Sequence, residues 1–364
     1  MRRSYGTASS SPIKGSPNDV MQTALTLPDP LLTASLFCAG HLDELIADAV
    51  VDAWRELETM DEQAFLWMMR YPRGGEHLKL RIHGRHAGSV EAVRPILERS
   101  ARSFFADQKK RIERGEFQRE ERRDVAAPPI DVEDEPDGLR DDHELIWSQF
   151  RRSPVSLGGP PFTDRDEFVA LFARCLGASC AWYLEQVADH GTLAPASRHL
   201  LFSEIVLSGL EGLGLEGDRQ ADFLLYYRDW QARTPMRRIG ASQEKADAWL
   251  AKTHRDLASR SERLDAIRSL VDRRSRAGRA RGPRESAWIR SLHDLAADIE
   301  TFRGDERYEV DPFAVDMLFA PVLKVFTGTA NQLGFGQMEE VKAVQLLLMT
   351  LFGERALCPI ALTI

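Results

Sequence analysis

Four cysteines in 364 residues, none of them in a C-x-x-C pair, are too few and too scattered for a disulfide framework or a zinc ribbon. Cys175 and Cys180 fall inside an apolar helical pattern, and with Cys38 and Cys358 they read as reduced thiols of a cytosolic protein. No apolar run approaches the roughly 18 residues that cross a bilayer, and the charged N-terminus is not followed by an apolar stretch, so neither insertion nor secretion is indicated. Positive charge is not in excess: Lys plus Arg 48 against Asp plus Glu 56 gives a net charge of -8, which argues against bulk nucleic-acid binding. The nine histidines include no H-E-x-x-H, and His83-x-x-His86 lacks carboxylates at ligand spacing. Walker A and G-x-S-x-G patterns are missing, which removes the anchors for nucleotide hydrolysis and serine hydrolysis. Gly212-Leu213-Gly214-Leu215-Glu216-Gly217 has the letters of a dinucleotide fingerprint but no strand before it, so a Rossmann site is discarded. General acid–base and electrostatic work by Arg, Lys, His, Tyr and Ser is left, with no metal and no cofactor.

What is present is a core: 43% of the chain is hydrophobic, ample for one large elaborated domain. Residues 1–22 are poor in apolar side chains and read as a flexible tail, so that 23–364 form a single domain with a charged loop near 108–144. A strand is expected over 31–38 and a helix over 42–54, with Leu42, Leu45, Ile46, Val50 and Trp54 on one face. A hairpin follows across a Pro/Gly turn, Leu66-Trp67-Met68-Met69-Arg70-Tyr71 against Glu76-His77-Leu78-Lys79-Leu80-Arg81-Ile82-His83. Strand alternation puts Leu78, Leu80 and Ile82 on one face and His77, Lys79, Arg81 and His83 on the other. That basic row is either the solvated face of a surface hairpin or a site for an anion, a polarised carbonyl or an acidic peptide. Val90, Val93, Leu97, Ala101 and Phe104 repeat at the helical period and predict a helix packed on the Leu78/Leu80 face.

Beyond the charged loop, Pro154, Gly158, Gly159, Pro160 and Pro161 forbid regular helix, and helices are expected over 164–187 and 196–213. Residues 244–296 read as two basic helices separated near Gly278 and Gly282-Pro283, with Arg273 and Arg274 in an arginine stripe. Such a stripe is a solvated face or a dock for an acidic helix. A helix over 311–326 is expected to give way to an irregular loop over 327–336, whose backbone N–H groups would face a ligand, before a final apolar helix carrying Val341, Val344, Leu347, Leu348 and Leu351.

Two of these segments carry a resemblance. Trp67-Met68-Met69-Arg70-Tyr71 with Gly74-Gly75-Glu76-His77-Leu78-Lys79-Leu80-Arg81, and Asn331-Gln332-Leu333-Gly334 before an apolar helix, resemble the opening and closing motifs of the thiopeptide-type bacteriocin biosynthesis domain. That superfamily includes the elimination domain of lantibiotic dehydratases and the stand-alone thiopeptide pyridine synthases. The resemblance implies an α+β fold, a helix-rich domain around an antiparallel sheet like the lantibiotic dehydratase elimination domain. It also implies action on a ribosomally made peptide. The eliminases carry Arg-x-Arg in the first motif and a histidine four residues before the closing Asn. Here those positions are Lys79-Leu80-Arg81 and Thr327, which argues against glutamate elimination. Phe150-Arg151-Arg152-Ser153-Pro154-Val155-Ser156-Leu157-Gly158-Gly159 is more similar to the pyridine synthases.

A pyridine synthase, as the resemblance implies, joins two dehydroalanines of one precursor by a formal [4+2] cycloaddition, loses water and expels the leader peptide. Arg70 and Arg81 are then expected to stabilise developing negative charge. His77, Tyr71 and Tyr308 would move protons, while Ser153, Ser156, Thr329 and Gln332 orient the amide. Lys79, His83, Arg151, Arg152, Asn331, Arg273 and Arg274 are expected to bind substrate, a precursor with an acidic leader and a dehydrated, azole-containing core. No nucleic acid and no membrane is expected as a partner, beyond transient contact with other biosynthetic enzymes. The alternatives are the glutamate-eliminating subunit of a split dehydratase and a non-catalytic leader-binding module.

Overall fold

Short runs rich in apolar and aromatic residues give the strands β1 (Leu32–Phe37), β2 (Phe65–Tyr71), β3 (His77–His83) and β4 (Glu144–Gln149). They form one antiparallel sheet in the order β2-β3-β1-β4. The computed structural model describes residues 32–72, 75–84, 87–116, 140–149, 166–238, 242–276, 281–301 and 318–357. The expected strand near 31–38 and the hairpin are both observed. β4 was not expected, because after its acidic approach it offers only three consecutive apolar residues, Leu145-Ile146-Trp147, with no alternation to mark a strand. The tail over 1–22 lies outside the described residues.

Between β1 and β2, α1 (Leu42–Leu45) passes through a π turn (Ile46–Val50) into α2 (Val51–Met60). α3 (Ala87–Glu113) follows β3 and buries Val90, Val93, Leu97 and Ala101. Its Glu98 accepts a 2.9 Å bond from the Trp147 indole of β4, and Arg94 lies over the same ring. Trp147 pairs with Ala34, so α3 covers the Leu80 face of the sheet, as the periodicity predicts. Because α3 runs to Glu113, the cluster Lys109-Lys110-Arg111 belongs to a helix end and not to the expected loop.

The rest of the described chain is helical: α4 (Asp166–His190), α5 (Pro195–Gly212), α6 (Gly217–Arg238), α7 (Gln243–Ala258), α8 (Ser261–Arg276), α9 (Pro283–Glu300), α10 (Phe319–Gln332) and α11 (Gln337–Phe352), ending in a 3-10 turn (Gly353–Leu357). α4 is the central member and packs on β2, α2, α9 and α10. It approaches β2 so closely that a Cβ on Gly177 would sit 2.6 Å from the Phe65 ring. Its segment Phe168–His190 is long and apolar enough to cross a membrane, yet 72% of that window is buried within the protein, which is the signature of a core helix. The basic region holds three helices where two were expected. The additional break falls at Ser259, whose hydroxyl turns back to the Asp256 carbonyl at 2.8 Å while Arg260 N–H takes a 2.9 Å bond to the Leu257 carbonyl.

α10 corrects another expectation. It continues through 327–332, where Thr, Gly and Asn suggest a loop, because Gly328, Thr329, Ala330 and Gln332 are buried and their packing overrides weak helix propensity. The helix stops at Gly334, φ +79°, with Phe335 N–H bonded to the Ala330 carbonyl at 3.0 Å and Gly334 N–H to the Asn331 carbonyl at 2.9 Å. These amides close the helix end, so they are not presented to a ligand.

Candidate functional site

β2 is an edge strand, and its outer rim is closed by α10. The Asn331 side-chain oxygen accepts from the Arg70 N–H at 2.7 Å and its amide donates to the Arg70 carbonyl at 3.1 Å, so one side chain imitates a neighbouring strand. The Arg70 side chain, on the Leu78 face, donates to Asp43 at 2.6 Å and to the Gln332 carbonyl at 3.3 Å. Arg198 from α5 reaches the other Asp43 oxygen at 3.1 Å and the Leu333 carbonyl at 3.2 Å. Two guanidiniums thus share one carboxylate at the start of α1, where the helix dipole also favours negative charge. A Cβ on Gly334 would lie 2.9 Å from Arg198 and 3.0 Å from Arg70, so glycine is required there for close approach as well as for its φ. The structure therefore brings the opening and closing motifs into contact through Arg70 and Asn331.

The basic row of β3 is neither a solvated face nor an open dock. His77 is 0% exposed, Lys79 1%, Arg81 6% and His83 9%. His77 stacks between Phe37, centroid distance 4.5 Å, and Tyr71, 5.5 Å, while His83 stacks on Phe65 at 4.5 Å. Lys79 lies over Tyr71 at 4.9 Å and Arg81 near Trp67 at 5.8 Å. Burial pushes His77 down to about 4, helped by Lys79 and opposed by its bond to the Gly75 carbonyl. His83 is also pushed down to about 4, by burial and by Arg174. Both imidazoles are neutral at pH 7, so they add no charge for an acidic leader, and His77 is a weak base for proton transfer. Alternation also separates the two arginines that were expected to work together: Arg70 pairs with Leu78, Arg81 with Trp67, and they face opposite sides of the sheet.

Thr329 and Gln332, expected to orient the substrate amide, are both 0% exposed. Gln332 donates to the Leu176 carbonyl at 3.0 Å and accepts from Ser179 at 2.9 Å, and Thr329 bonds Ser179 at 3.1 Å. Their polar atoms seal α10 to α4. The half-buried residues of α10 are Ala320, Lys324, Thr327 and Asn331, at spacings of four, three and four, which form one stripe about 16 Å long. Lys324 stands 5.9 Å over Trp230 of α6. Beside Thr327 lies a polar cluster that sequence reasoning missed. Gln231 donates to the Thr327 hydroxyl at 2.6 Å and to Glu340 at 2.9 Å, Tyr227 donates to Glu340, and Gln337 donates to Gln231 at 2.9 Å. Glu340 is 3% exposed, and burial pushes its carboxyl up to about 7 despite hydrogen bonds from Tyr227, Thr327 and Gln231 that pull it down.

Two members of the arginine stripe, Arg274 and Arg281, are held in a part-buried cluster, while Arg268 and Arg276 make only exposed pairs within their own helix. Arg274 donates to Glu285 at 2.6 Å and Ser208 at 2.8 Å, Arg281 pairs with Glu285 and Glu211, Arg268 with Asp265 and Arg276 with Asp272. Arg274 is therefore a clamp between α5, α8 and α9 and not a docking residue, whereas Arg273 stays exposed. Arg151, Arg152, Ser153, Ser156 and Tyr308 lie outside the described residues. Asp43, Arg198, Tyr227, Gln231 and Glu340 were not anticipated. Glu340 had a legible signal, a carboxylate immediately before the apolar repeat of the last helix, but it also reads as an ordinary acidic first turn.

The described chain is thus a helix-rich α+β fold around one four-stranded antiparallel sheet, whose edge strand β2 is locked by α10. Among solved structures the chain is similar to "Pyridine synthase, TbtD, from thiomuracin biosynthesis", with 89% of this chain and 99% of that one covered, a TM-score of 0.57 and 16% sequence identity. At that identity the likeness is one of fold. No protein-family model and no curated protein sequence matches the chain.

Proposed function

We propose that the protein is a pyridine synthase of thiopeptide biosynthesis, acting in the cytoplasm on a ribosomal precursor with an acidic leader and an azole-containing core that bears two dehydroalanines. The observation that carries the reading is the likeness in fold to a pyridine synthase over nearly the full length of both chains. The meeting of the opening and closing motifs at Arg70 and Asn331 supports it.

In this reading an amide preceding one dehydroalanine is held as its iminol, giving a 2-azadiene. The second dehydroalanine adds across it, forming two carbon–carbon bonds and a six-membered ring that keeps the hydroxyl on the former amide carbon. Water then leaves, its hydroxyl from that carbon and its second hydrogen from a ring CH2 by way of the ring nitrogen. The leader departs as a carboxamide when its C–N bond breaks and the neighbouring ring CH2 gives up a proton, which makes the ring aromatic. Every step is redox-neutral, so the chemistry asks for positioned donors and acceptors and for a confined peptide. The half-buried stripe of α10 holds the core peptide, and Arg70 and Arg198, anchored on Asp43, supply positive charge at its Asn331 end. The buried Lys79 and Arg81 give the opposite face of the sheet the same character. Exposed Arg273 contributes to leader attraction.

The test is mass spectrometry of the purified protein incubated with a leader-bearing azole peptide containing two dehydroalanines, and in parallel with a glutamylated peptide. A macrocycle lighter by the leader and one water is the expected product. Loss of glutamate from the second peptide, with the first unchanged, would overturn the reading in favour of an eliminase. Binding of both without conversion would leave a leader-binding module.

A further inference from the structure

Glu340 is a buried carboxyl for which the steps above have no use. Its environment is built from three elements. α6 contributes the Tyr227 phenol and the Gln231 amide, α10 the Thr327 hydroxyl, and α11 the carboxyl itself with Gln337 bracing Gln231. No charged side chain among the described residues is a cause of its shift; Arg228 is paired with Asp229 at 2.6 Å, and Glu339 is turned to the Gly336 amide at 3.0 Å. An ion pair, the ordinary reason for a buried carboxylate, is therefore not what holds it. Thr327 connects this interior group with the α10 stripe: its hydroxyl bonds the cluster, yet the residue is half-buried beside Lys324 and Asn331.

Resting on the pyridine-synthase reading, we propose that Glu340 is a positioning proton reservoir, whose proton passes through the Thr327 hydroxyl to the hydroxyl group that leaves as water after cycloaddition. In that step the Thr327 hydroxyl gives its proton to the leaving oxygen and takes one from the Glu340 carboxyl. The cycloadduct's imine first shifts to its enamine, a proton of the adjacent ring CH2 moving to nitrogen; the C–OH bond then breaks with its electron pair going to oxygen, and the ring nitrogen lone pair forms C=N. The N–H proton then returns along the same hydroxyl to the carboxylate, so the carboxyl is restored and water is the only product. The Tyr227 and Gln231 donors stabilise the carboxylate while the proton is away. Burial keeps the carboxyl protonated well above the usual carboxylate range, so the acid form persists towards neutrality.

The experiment compares wild type, E340Q, T327S and T327V on the bis-dehydroalanine peptide across the neutral pH range, with folding checked by circular dichroism. Wild-type kcat should fall as pH rises through about 7. E340Q should lower kcat by about 100-fold or more, lose that limb and keep the wild-type affinity for the leader peptide. T327S should retain activity and T327V should lose it. Wild-type rate and pH limb in E340Q, or full rate in T327V, would overturn the relay while leaving the function standing. A wild-type protein inert on this peptide would overturn both. Independently of turnover, a carbon-13 carboxyl signal absent from E340Q should titrate near neutrality; titration in the ordinary range of glutamate would overturn the proposal.

Discussion

Asn331 does for β2 what a neighbouring strand does elsewhere in a sheet, and it does so at one residue. Removing it leaves the Arg70 N–H and carbonyl without a partner on that side, so Asn331→Ala should cost about 1–3 kcal/mol, measured as a lower urea midpoint. Asn331→Asp keeps an acceptor for the N–H but loses the donor to the carbonyl, and should fall between the two. His77 carries a prediction of pH dependence. Its folded pKa is about 4 against 6.5 unfolded, so the native state binds fewer protons than the unfolded chain between those values. Its contribution is complete above pH 6.5 and is lost as pH falls towards 4, about 3 kcal/mol in all. His77→Phe keeps the ring between Phe37 and Tyr71, and should flatten the loss of stability between pH 7 and pH 5 seen by denaturant titration. Alternation was enough to assign His77, Lys79, Arg81 and His83 to one face. It gave no account of burial, because a polar row ordinarily marks the wet side of a sheet and here aromatic rings cover it.

Among the elements, α10 shows where local reading stops. Its first half was legible as a helix, but Thr327 to Gln332 were not, since the side chains that hold them helical come from α4, far away in sequence. The stop at Gly334 was not anticipated, since the helix was expected to end at 326, and neither was the glycine's second duty, because Arg70 and Arg198 arrive from β2 and α5. Gly334→Ala forces an L residue into φ +79° and drives a methyl towards both guanidiniums. The expected result is a loss of about 1–2 kcal/mol with reduced turnover, because the Asp43 cluster must move. The hairpin and α3 were legible because each has a clean period and packs locally, and β4 was missed because six residues beside an acidic stretch give too short a pattern.

For the whole molecule, Glu340 gives a stability profile opposite in sign to that of His77. With a folded pKa of about 7 against 4.5 unfolded, the native state holds more protons than the unfolded chain between those values, so stability declines as pH rises through that window. The decline should be of the order of 3 kcal/mol and absent from E340Q, whose stability relative to wild type therefore grows from pH 4.5 to pH 7 in denaturant titrations. The architecture was legible as a class, helices around an antiparallel sheet, because the two motifs and the hydrophobic periods agree on it. The candidate site was legible only in part: Arg70 and Asn331 were named, but their mutual contact and the Asp43, Arg198 and Glu340 partners depend on how separate helices meet. The most direct test of the central claim is the chemical form of the leader released by the wild-type protein from a bis-dehydroalanine precursor, read by its exact mass. A leader ending in a carboxamide, formed together with a pyridine-centred macrocycle, is the result predicted; a leader ending in a carboxylate, or a leader still attached to the core, would contradict it.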